Sequence, residues 1–212
     1  MATAAQQNAG HIVLTNVAWS TYEALLADSD SPGTRFTYDR GTLEIMSPSE
    51  EHERCKKFLA RMIETLTEEL RIPIRSAGST TWRREAARQG LEPDECYYIS
   101  NEPQVRGRRQ LDLSVDPAPD LVVEVEITAP SVDKMPIYAG LGVAEVWRYD
   151  GKHLRIERLQ DDGTYAHVEN STELPMIPPG ELERFLDRRD KTDETTWIRS
   201  FRAWVATVLD SP

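Results

Sequence analysis

One predicted strand of the chain has an apolar side and an acidic side. Residues alternate in polarity from Asp120 to Ile127, and successive side chains of a strand point to opposite faces. Asp120, Glu124 and Glu126 therefore share a face, and a rise of about 3.3 Å per residue puts the last two carboxylates roughly 6 to 7 Å apart. That separation suits two ligands of one hard divalent cation. An edge strand with one solvated face would show the same pattern, so the neighbouring elements must decide between the two interpretations.

The elements on either side of this strand carry complementary residues. Asp94, after Pro93, opens the preceding predicted strand, and Lys134 begins the following predicted helix. Metal-assisted phosphodiester hydrolysis needs oxygen ligands that converge on one face, and it gains from a cation beside the attacking water or the phosphate. Asp94 and Glu124 would supply the ligands, and Lys134 the cation. Each residue alone has an ordinary explanation, as a strand opener or a solvent-facing lysine, but their combination indicates a metal-dependent hydrolase.

A long amphipathic helix is predicted to begin after Ser49. Ser49 is a good N-cap, and acidic residues follow it at the positive end of the helix dipole. Apolar residues recur at spacings of three and four from Cys55 to Leu70, which predicts a buried stripe. His52 falls near the centre of that stripe and Glu51 on its border, so both are accessory candidates for the site. A structural histidine on the core face is the alternative interpretation of His52.

The remaining elements follow from periodicity and turn residues. From residue 49 onward the predicted order is helix, three strands, helix, strand. A helix and a hairpin precede this core, and a hairpin and two helical pieces follow it, at residues 18–27, 35–46, 154–168 and 182–209. The first residues are rich in Ala, Gln and Asn, and we interpret residues 1–17 as a flexible tail.

Composition and charge restrict the class of protein. Hydrophobic residues make up 39% of the 212 residues and charged residues 29%, as in soluble globular proteins. No apolar run approaches the roughly eighteen residues that would span a membrane, and the use of only two cysteines, Cys55 and Cys96, favours a reducing cytoplasm. The net charge of −11 argues against a nonspecific nucleic-acid coat. It is compatible with a nuclease, because an active site that gathers carboxylates is itself acidic.

Several basic residues are clustered in or near predicted loops, where backbone phosphates could reach them. We interpret five of them as candidates for nucleic-acid binding: Arg83, Arg84, Arg106, Arg108 and Arg109. Solubility of the surface is the alternative explanation for these charges.

Three segments together resemble a restriction-endonuclease-like family of bacterial proteins within the PD-(D/E)xK nuclease superfamily. They are residues 38–49 with His52, the Pro93-Asp94 pair, and residues 119–149 with Lys134 and Glu145-Val146-Trp147. The resemblance covers roughly residues 18–170, which we interpret as one nuclease domain. Residues 171–212 lie outside it, and we interpret them as a helical extension packed on the same domain.

The resemblance implies a mixed α/β fold with an α-β-β-β-α-β core around a Mg²⁺ site, where Mn²⁺ would substitute. Asp94 matches the motif aspartate and Glu124 the motif glutamate. Two residues after that glutamate the superfamily pattern has a lysine, whereas this chain has Glu126. Lys134 matches a lysine that the family carries on the following helix. Asp120 is the alternative motif aspartate, because Pro119-Asp120 has the same form.

Two functions fit these residues best, and a different metal-using hydrolase or a structural domain with a solvated acidic face is the remaining alternative. In the first, the protein is a Mg²⁺-dependent DNA endonuclease in which Asp94 and Glu124 bind the ion and Lys134 positions or activates the nucleophile. Glu126 or Glu51 would assist through water. In the second, the nuclease fold has lost turnover and binds nucleic acid or a protein partner, which Glu126 and the acidic net charge favour. No membrane partner is expected, and a twofold homodimer would be the simplest arrangement for cutting both strands of a duplex.

Overall fold

The computed structural model describes residues 3–8, 10–29, 33–127 and 131–209 of the chain. Its elements, in chain order, are β1 (Thr3–Asn8), β2 (His11–Thr15), α1 (Trp19–Asp28), β3 (Arg35–Asp39), β4 (Thr42–Met46), α2 (Glu50–Leu70), β5 (Arg75–Ser76), β6 (Trp82–Arg84), β7 (Gln89–Leu91), β8 (Glu95–Tyr98), α3 (Glu102–Val105), β9 (Leu121–Val125), α4 (Met135–Leu141), β10 (Glu145–Tyr149), β11 (Leu154–Leu159), β12 (Tyr165–Val168), α5 (Pro179–Leu186) and α6 (Glu194–Leu209). Within these ranges no helix is both long enough and apolar enough to cross a bilayer.

The described strands form two six-stranded sheets. The first has the order β1-β2-β4-β3-β7-β6, and its pairs are antiparallel. The second has the order β12-β11-β10-β9-β8-β5, in which β9 and β10 are parallel and the other pairs antiparallel. A parallel pair needs a crossover connection, and α4 lies in it. Helix α2, strands β5, β8 and β9, helix α4 and strand β10 thus form the α-β-β-β-α-β core, and the predicted mixed α/β class is confirmed.

Helices cover both faces of the second sheet. Leu121, Val123 and Val125 of β9 pack in one buried cluster with residues of α2, α5 and α6. Val122 points the other way and packs in a second cluster with residues of α4. Strand β9 lies between β8 and β10 and not at an edge. The interpretation of this strand as a solvated edge strand is therefore wrong.

Helix α2 follows the prediction closely. The Oγ atom of Ser49 accepts a hydrogen bond of 3.2 Å from the backbone N–H of His52. The helix ends at Leu70, and its C-cap residue Arg71 has a left-handed φ of 56°. Helix α6 packs on α2, where the rings of Phe58 and Trp197 meet edge to face at 4.7 Å between centroids. Helix α2 thus shares one buried cluster with α6 and with β9 of the second sheet.

Part of the segment predicted to be a flexible tail is a strand. His11–Thr15 forms β2, which pairs with β4, and β1 pairs with β2 in turn. The run Ile12-Val13-Leu14 explains this difference, because β-branched and apolar residues suit a partly buried strand. Residues 1, 2 and 9 of the predicted tail lie outside the described residues.

The first of the three strands predicted after the long helix, which its residue pattern places over residues 74–84, is divided between the two sheets. Arg75–Ser76 pairs with β8, whereas Trp82–Arg84 pairs with β7. Between them, Gly78 has a φ of 54°, a left-handed conformation that glycine adopts without the steric cost other residues meet. This segment therefore supplies one edge strand to each sheet.

Candidate active site

Asp94 and Glu124 lie on adjacent strands of the second sheet. Asp94 directly precedes β8, and its Oδ2 accepts a hydrogen bond of 2.7 Å from the backbone N–H of Val125. Val125 follows Glu124 in β9, so this bond holds Asp94 beside the end of β9 that carries Glu124. Both side chains are buried, with Asp94 0% and Glu124 1% exposed. The structure thus brings the two candidate metal ligands into one buried cluster.

Helix α4 engages both oxygens of Glu124. Lys134, the N-cap residue, places its Nζ 2.7 Å from Oε2, and the hydroxyl of Tyr138 donates a hydrogen bond to Oε1. Residues four apart lie on the same face of a helix, so Lys134 and Tyr138 both face Glu124 from one turn at the start of α4. Lys134 is buried as well, at 8% exposed. The helix-borne lysine therefore reaches Glu124, and Tyr138 is a further partner whose role we did not predict.

A histidine and an arginine contact Asp94. His52 Nε2 lies 3.1 Å from Oδ2, and Arg35 Nη1 lies 2.6 Å from Oδ1. Arg35 also donates to the Pro93 carbonyl at 3.0 Å and to Glu53 at 3.1 Å. The close contact with Arg35 does not have hydrogen-bond geometry, so Asp94 Oδ1 accepts no hydrogen bond from the described residues. The accessory candidate His52 belongs to the cluster, and Arg35 joins it from β3 without any local sequence signal.

These contacts determine the charge states in the cluster. Burial alone would raise the pKa of Asp94, but a hydrogen bond from His52 and two nearby cations lower it below its usual value. Burial raises the pKa of Glu124, and the charge of Asp94 adds to this rise while Lys134 opposes it. For Lys134, burial lowers the pKa, but Glu124 and Asp94 outweigh burial and raise it. Asp94 is therefore a carboxylate and Lys134 an ammonium at neutral pH.

Glu44 of the first sheet is another buried carboxylate near Lys134. It is 2% exposed, and it accepts hydrogen bonds from His11 Nε2 and from the backbone N–H of Ser131, the latter at 2.8 Å. The charge of Glu44 also raises the pKa of Lys134, although less than Glu124 and Asp94 do. Glu44 thus ties β2 and β4 to the segment that leads into α4. Alternation in the hairpin places Glu44 on the face opposite to that of its apolar neighbours. Nothing in the sequence indicates that His11 and Ser131 are its partners.

Glu126 does not contact this cluster. It follows the last residue of β9, and its two oxygens accept hydrogen bonds of 3.0 and 2.9 Å from Arg148 on β10. Among the described residues, Glu126 makes no hydrogen bond or ion pair with Asp94, Glu124 or Lys134. Strand alternation predicted that Glu126 would lie on the same face as Glu124. Strand β9 instead ends at Val125, one residue before Glu126.

The other two accessory carboxylates also have structural partners. Glu51 accepts a hydrogen bond of 2.6 Å from Arg189, which joins α2 to the segment after α5. Asp120 Oδ2 accepts hydrogen bonds from the backbone N–H groups of Ile99 and Asn101, at 2.7 and 2.9 Å. Asp120 lies at the start of β9, whereas Glu124 is near its end. This arrangement favours Asp94 over Asp120 as the motif aspartate.

The five arginines predicted to bind nucleic acid divide into two groups. Three are bound to groups of the same chain: Arg84 to the Gly140 and Leu141 carbonyls at the end of α4, Arg106 to Glu102, and Arg108 to Asp116. Arg83 and Arg109 line an open cavity, where Arg83 also lies 3.8 Å from Glu23. The second pair therefore lies where a ligand can enter from solvent.

The cluster contains oxygen ligands for a metal ion but too few to fill its coordination shell. In the described part of the chain, no group of three or more His, Cys, Asp or Glu side chains could hold a metal ion. Asp94 Oδ1 accepts no hydrogen bond from the described residues, although Arg35 Nη1 lies 2.6 Å from it, and Glu124 is the neighbouring carboxylate. Mg²⁺ usually takes one or two protein carboxylates and completes its shell with water and phosphate oxygens. The pair fits such an open site and not one that is ligated by protein alone.

Comparisons with known proteins concern the fold and the family of the chain. A crystal structure described as "a putative nuclease belonging to DUF820 from Anabaena variabilis ATCC 29413" is similar with a TM-score of 0.51 and 15% sequence identity, over 80% of this chain and 99% of that chain. At that identity the likeness concerns the fold alone. No curated protein matches the chain. Residues 19–186 match the family Uma2, described as "Putative restriction endonuclease". Because this match spans well over half of the chain, the restriction-endonuclease-like resemblance is confirmed and the protein belongs to the Uma2 family.

Proposed function

We propose that this Uma2 protein is a Mg²⁺-dependent endonuclease that hydrolyses DNA phosphodiester bonds. The observation that carries the proposal is the buried cluster of Asp94 and Glu124 on adjacent strands, with the Lys134 ammonium 2.7 Å from Glu124. Family membership supports nuclease chemistry. The two-carboxylate donor set supports Mg²⁺, with Mn²⁺ as a substitute.

In the proposed mechanism, Asp94 and Glu124 hold the ion from adjacent strands. When bound, Mg²⁺ would lower the pKa of a water molecule and neutralise charge on the phosphate. Lys134 contributes a fixed positive charge at the same place. There it would orient the attacking water and stabilise the negative charge that develops on the phosphate in the transition state.

Three further residues position these groups. Tyr138 donates to one oxygen of Glu124, so that the other oxygen faces Lys134. His52 and Arg35 contact Asp94 and, against the effect of burial, help to lower its pKa. The ionised carboxylate is the form that binds a metal ion. His52 and Arg35 are thus positioning residues for Asp94.

In this mechanism, Lys134 replaces the lysine that the superfamily pattern has at position 126. Its long side chain reaches Glu124 from α4, while Glu126 is paired with Arg148. The proposed catalytic set does not include Glu126. A glutamate at that position is therefore compatible with turnover.

A second candidate function is a nuclease fold that binds nucleic acid or a protein partner without turnover. The observation that favours it is the engagement of both oxygens of Glu124 by Lys134 and Tyr138. A metal ion would have to share Glu124 with these groups. Metal binding and cleavage must therefore be measured separately.

The test is cleavage of plasmid DNA, single-stranded DNA and an RNA of the same sequence in Mg²⁺ or Mn²⁺. Wild type is compared with Asp94→Asn and Lys134→Ala, and with Glu157→Gln as a control on β11. We expect wild type and the control to cleave DNA, and the other two variants to lose about 100-fold or more. Cleavage that survives both substitutions would contradict the assigned site. Mn²⁺ binding that needs Asp94, in a wild type that cleaves nothing, would favour the second function.

A further inference from the structure

An open cavity of about 590 Å³ lies where the edge strands of the two sheets approach each other. Its walls are the segment around β5 and β6 and the loop at residues 109–113. The polar part of its lining consists of Arg75, Thr80, Thr81, Arg83, Arg109 and Asp112, with Gln110 beside them. Sites for small molecules and cofactors have volumes of roughly 300–1,000 Å³. The cavity is large enough for a nucleotide, and none of its lining residues belongs to the proposed cleavage site.

The cavity is rich in positive charge although the chain has a net charge of −11. Its described lining includes three arginines and one carboxylate, Asp112. Asp112 bonds to its own loop, where Oδ1 accepts a hydrogen bond of 2.8 Å from the backbone N–H of Ser114. That bond lowers the pKa of Asp112, so its charge is present at neutral pH. Three guanidinium groups outnumber it, and the cavity therefore favours an anion.

The arginines of the cavity have hydrogen-bond donors left for a ligand. Arg109 makes no hydrogen bond or ion pair with any residue that the structure describes. Arg83 lies 3.8 Å from Glu23, with side chains 48% and 43% exposed, and an ion pair this open to solvent contributes little. Arg75 donates to the Val105 carbonyl through Nη1, and its Nη2 takes no part in that hydrogen bond. Guanidinium groups with unused donors suit the oxygens of phosphate.

The cavity is connected to the strand that follows Asp94. Thr81 Oγ1 donates a hydrogen bond of 2.9 Å to Glu92, two residues before Asp94. Trp82 Nε1 donates at 3.4 Å to the sulfur of Cys96, two residues after it. The wall of the cavity is thus attached to the chain on both sides of Asp94.

We propose that this cavity binds backbone phosphates of the nucleic-acid strand on one side of the scissile bond. The inference rests on the proposed function for its substrate class, and it adds the surface that holds the strand. Contacts to phosphate do not read base sequence, so the cavity would position the strand without selecting among sequences.

The test measures binding without cleavage. A short fluorescein-labelled single-stranded DNA is titrated with protein in EDTA and followed by fluorescence anisotropy. The double variant Arg83→Ala/Arg109→Ala is compared with Arg155→Ala/Arg199→Ala, which removes the same charge from exposed positions outside the cavity. At about 50 mM salt we expect the first variant to bind about 50-fold more weakly than wild type, with a salt slope smaller by about 1.4. The control should lose much less affinity and keep the wild-type slope.

The outcomes separate this inference from the proposed function. Arginine-dependent binding by a protein that never cleaves would leave the cavity assignment standing while the endonuclease proposal fails. Equal affinity of wild type and the cavity variant, both shown to be folded by circular dichroism, would overturn the inference. Binding of free thymidine monophosphate but not of the oligonucleotide would also overturn it, in favour of a small-ligand site.

Discussion

The cluster around Asp94 and the arginine cavity use charge in opposite ways. In the cluster, Asp94, Glu124 and Lys134 are at most 8% exposed, and each lies against a group of opposite charge. In the cavity, Arg83 and Arg109 are exposed and have a weak partner or none among the described residues. Removing ions from water is costly, so buried charges must be paired, whereas exposed charges stay available to ligands. Substitutions should therefore destabilise the fold in the cluster and spare it in the cavity.

Removing Lys134 should show this contrast most strongly. Lys134→Met leaves the Glu124 carboxylate buried without its cation, and breaking a buried pair in this way costs about 3–5 kcal/mol of stability. The measurement is urea denaturation, with Lys152→Met as an exposed control expected to change stability by less than about 0.5 kcal/mol. A change in Lys134→Met as small as in the control would contradict an ionised pair.

Removing the charge of Glu44 should have a smaller effect. Glu44→Gln keeps an oxygen for the N–H of Ser131 but weakens the bond from His11, and it also removes a negative charge near Lys134. We expect a loss of about 1–3 kcal/mol in urea denaturation, because a buried hydrogen-bonding group loses a charged partner. Glu157→Gln serves as the control. If both variants unfold at the same urea concentration, Glu44 does not tie the two sheets together energetically.

The stability of the cluster should also depend on pH through Asp94. Burial opposes ionisation, but His52 and nearby cations lower the folded pKa below the ordinary 3.8. A carboxyl group with a depressed folded pKa stabilises the fold above its unfolded pKa and loses that contribution as the pH falls through the folded value. Below pH 3.8 the wild type should therefore lose stability more steeply than Asp94→Asn. Parallel stability curves for the two proteins over that range would show that Asp94 does not titrate as described.

The smallest effect on stability is expected in the cavity. Arg109→Ala removes a side chain without a described partner, so the free energy of unfolding should change by less than about 0.5 kcal/mol. The same variant should bind single-stranded DNA more weakly in EDTA. Destabilisation comparable to that of Glu44→Gln would mean that Arg109 supports the fold, and the contrast between the two regions would then be lost.

Local patterns were sufficient to predict much of the fold and part of the site. The Ser49 cap and the apolar spacing after it predicted α2, and alternation around a Gly-containing turn predicted the hairpin of β3 and β4. Asp94, Glu124 and Lys134 each lie in a short segment with its own signal, and the family resemblance linked the segments. The structure brings these three residues into one cluster because β8, β9 and α4 are neighbours.

The rest depends on contacts between distant segments, which local patterns do not reveal. Arg35 and Glu44 reach the site from the first sheet, and no spacing in the sequence connects them to β8 or α4. Glu126 was misplaced for a related reason. Alternation shows which face a residue would take but not where the strand ends, and Arg148 on a neighbouring strand binds Glu126 just beyond β9.

The most direct test of the central claim compares two glutamates that are two residues apart. Glu124→Gln and Glu126→Gln make the same chemical change, one in the buried cluster and one in a partly exposed ion pair. The measurement is the rate of plasmid cleavage in Mg²⁺. We expect Glu126→Gln to cleave within about threefold of wild type and Glu124→Gln to lose about 100-fold or more. Loss of cleavage in Glu126→Gln together with wild-type cleavage in Glu124→Gln would contradict the assignment of the site.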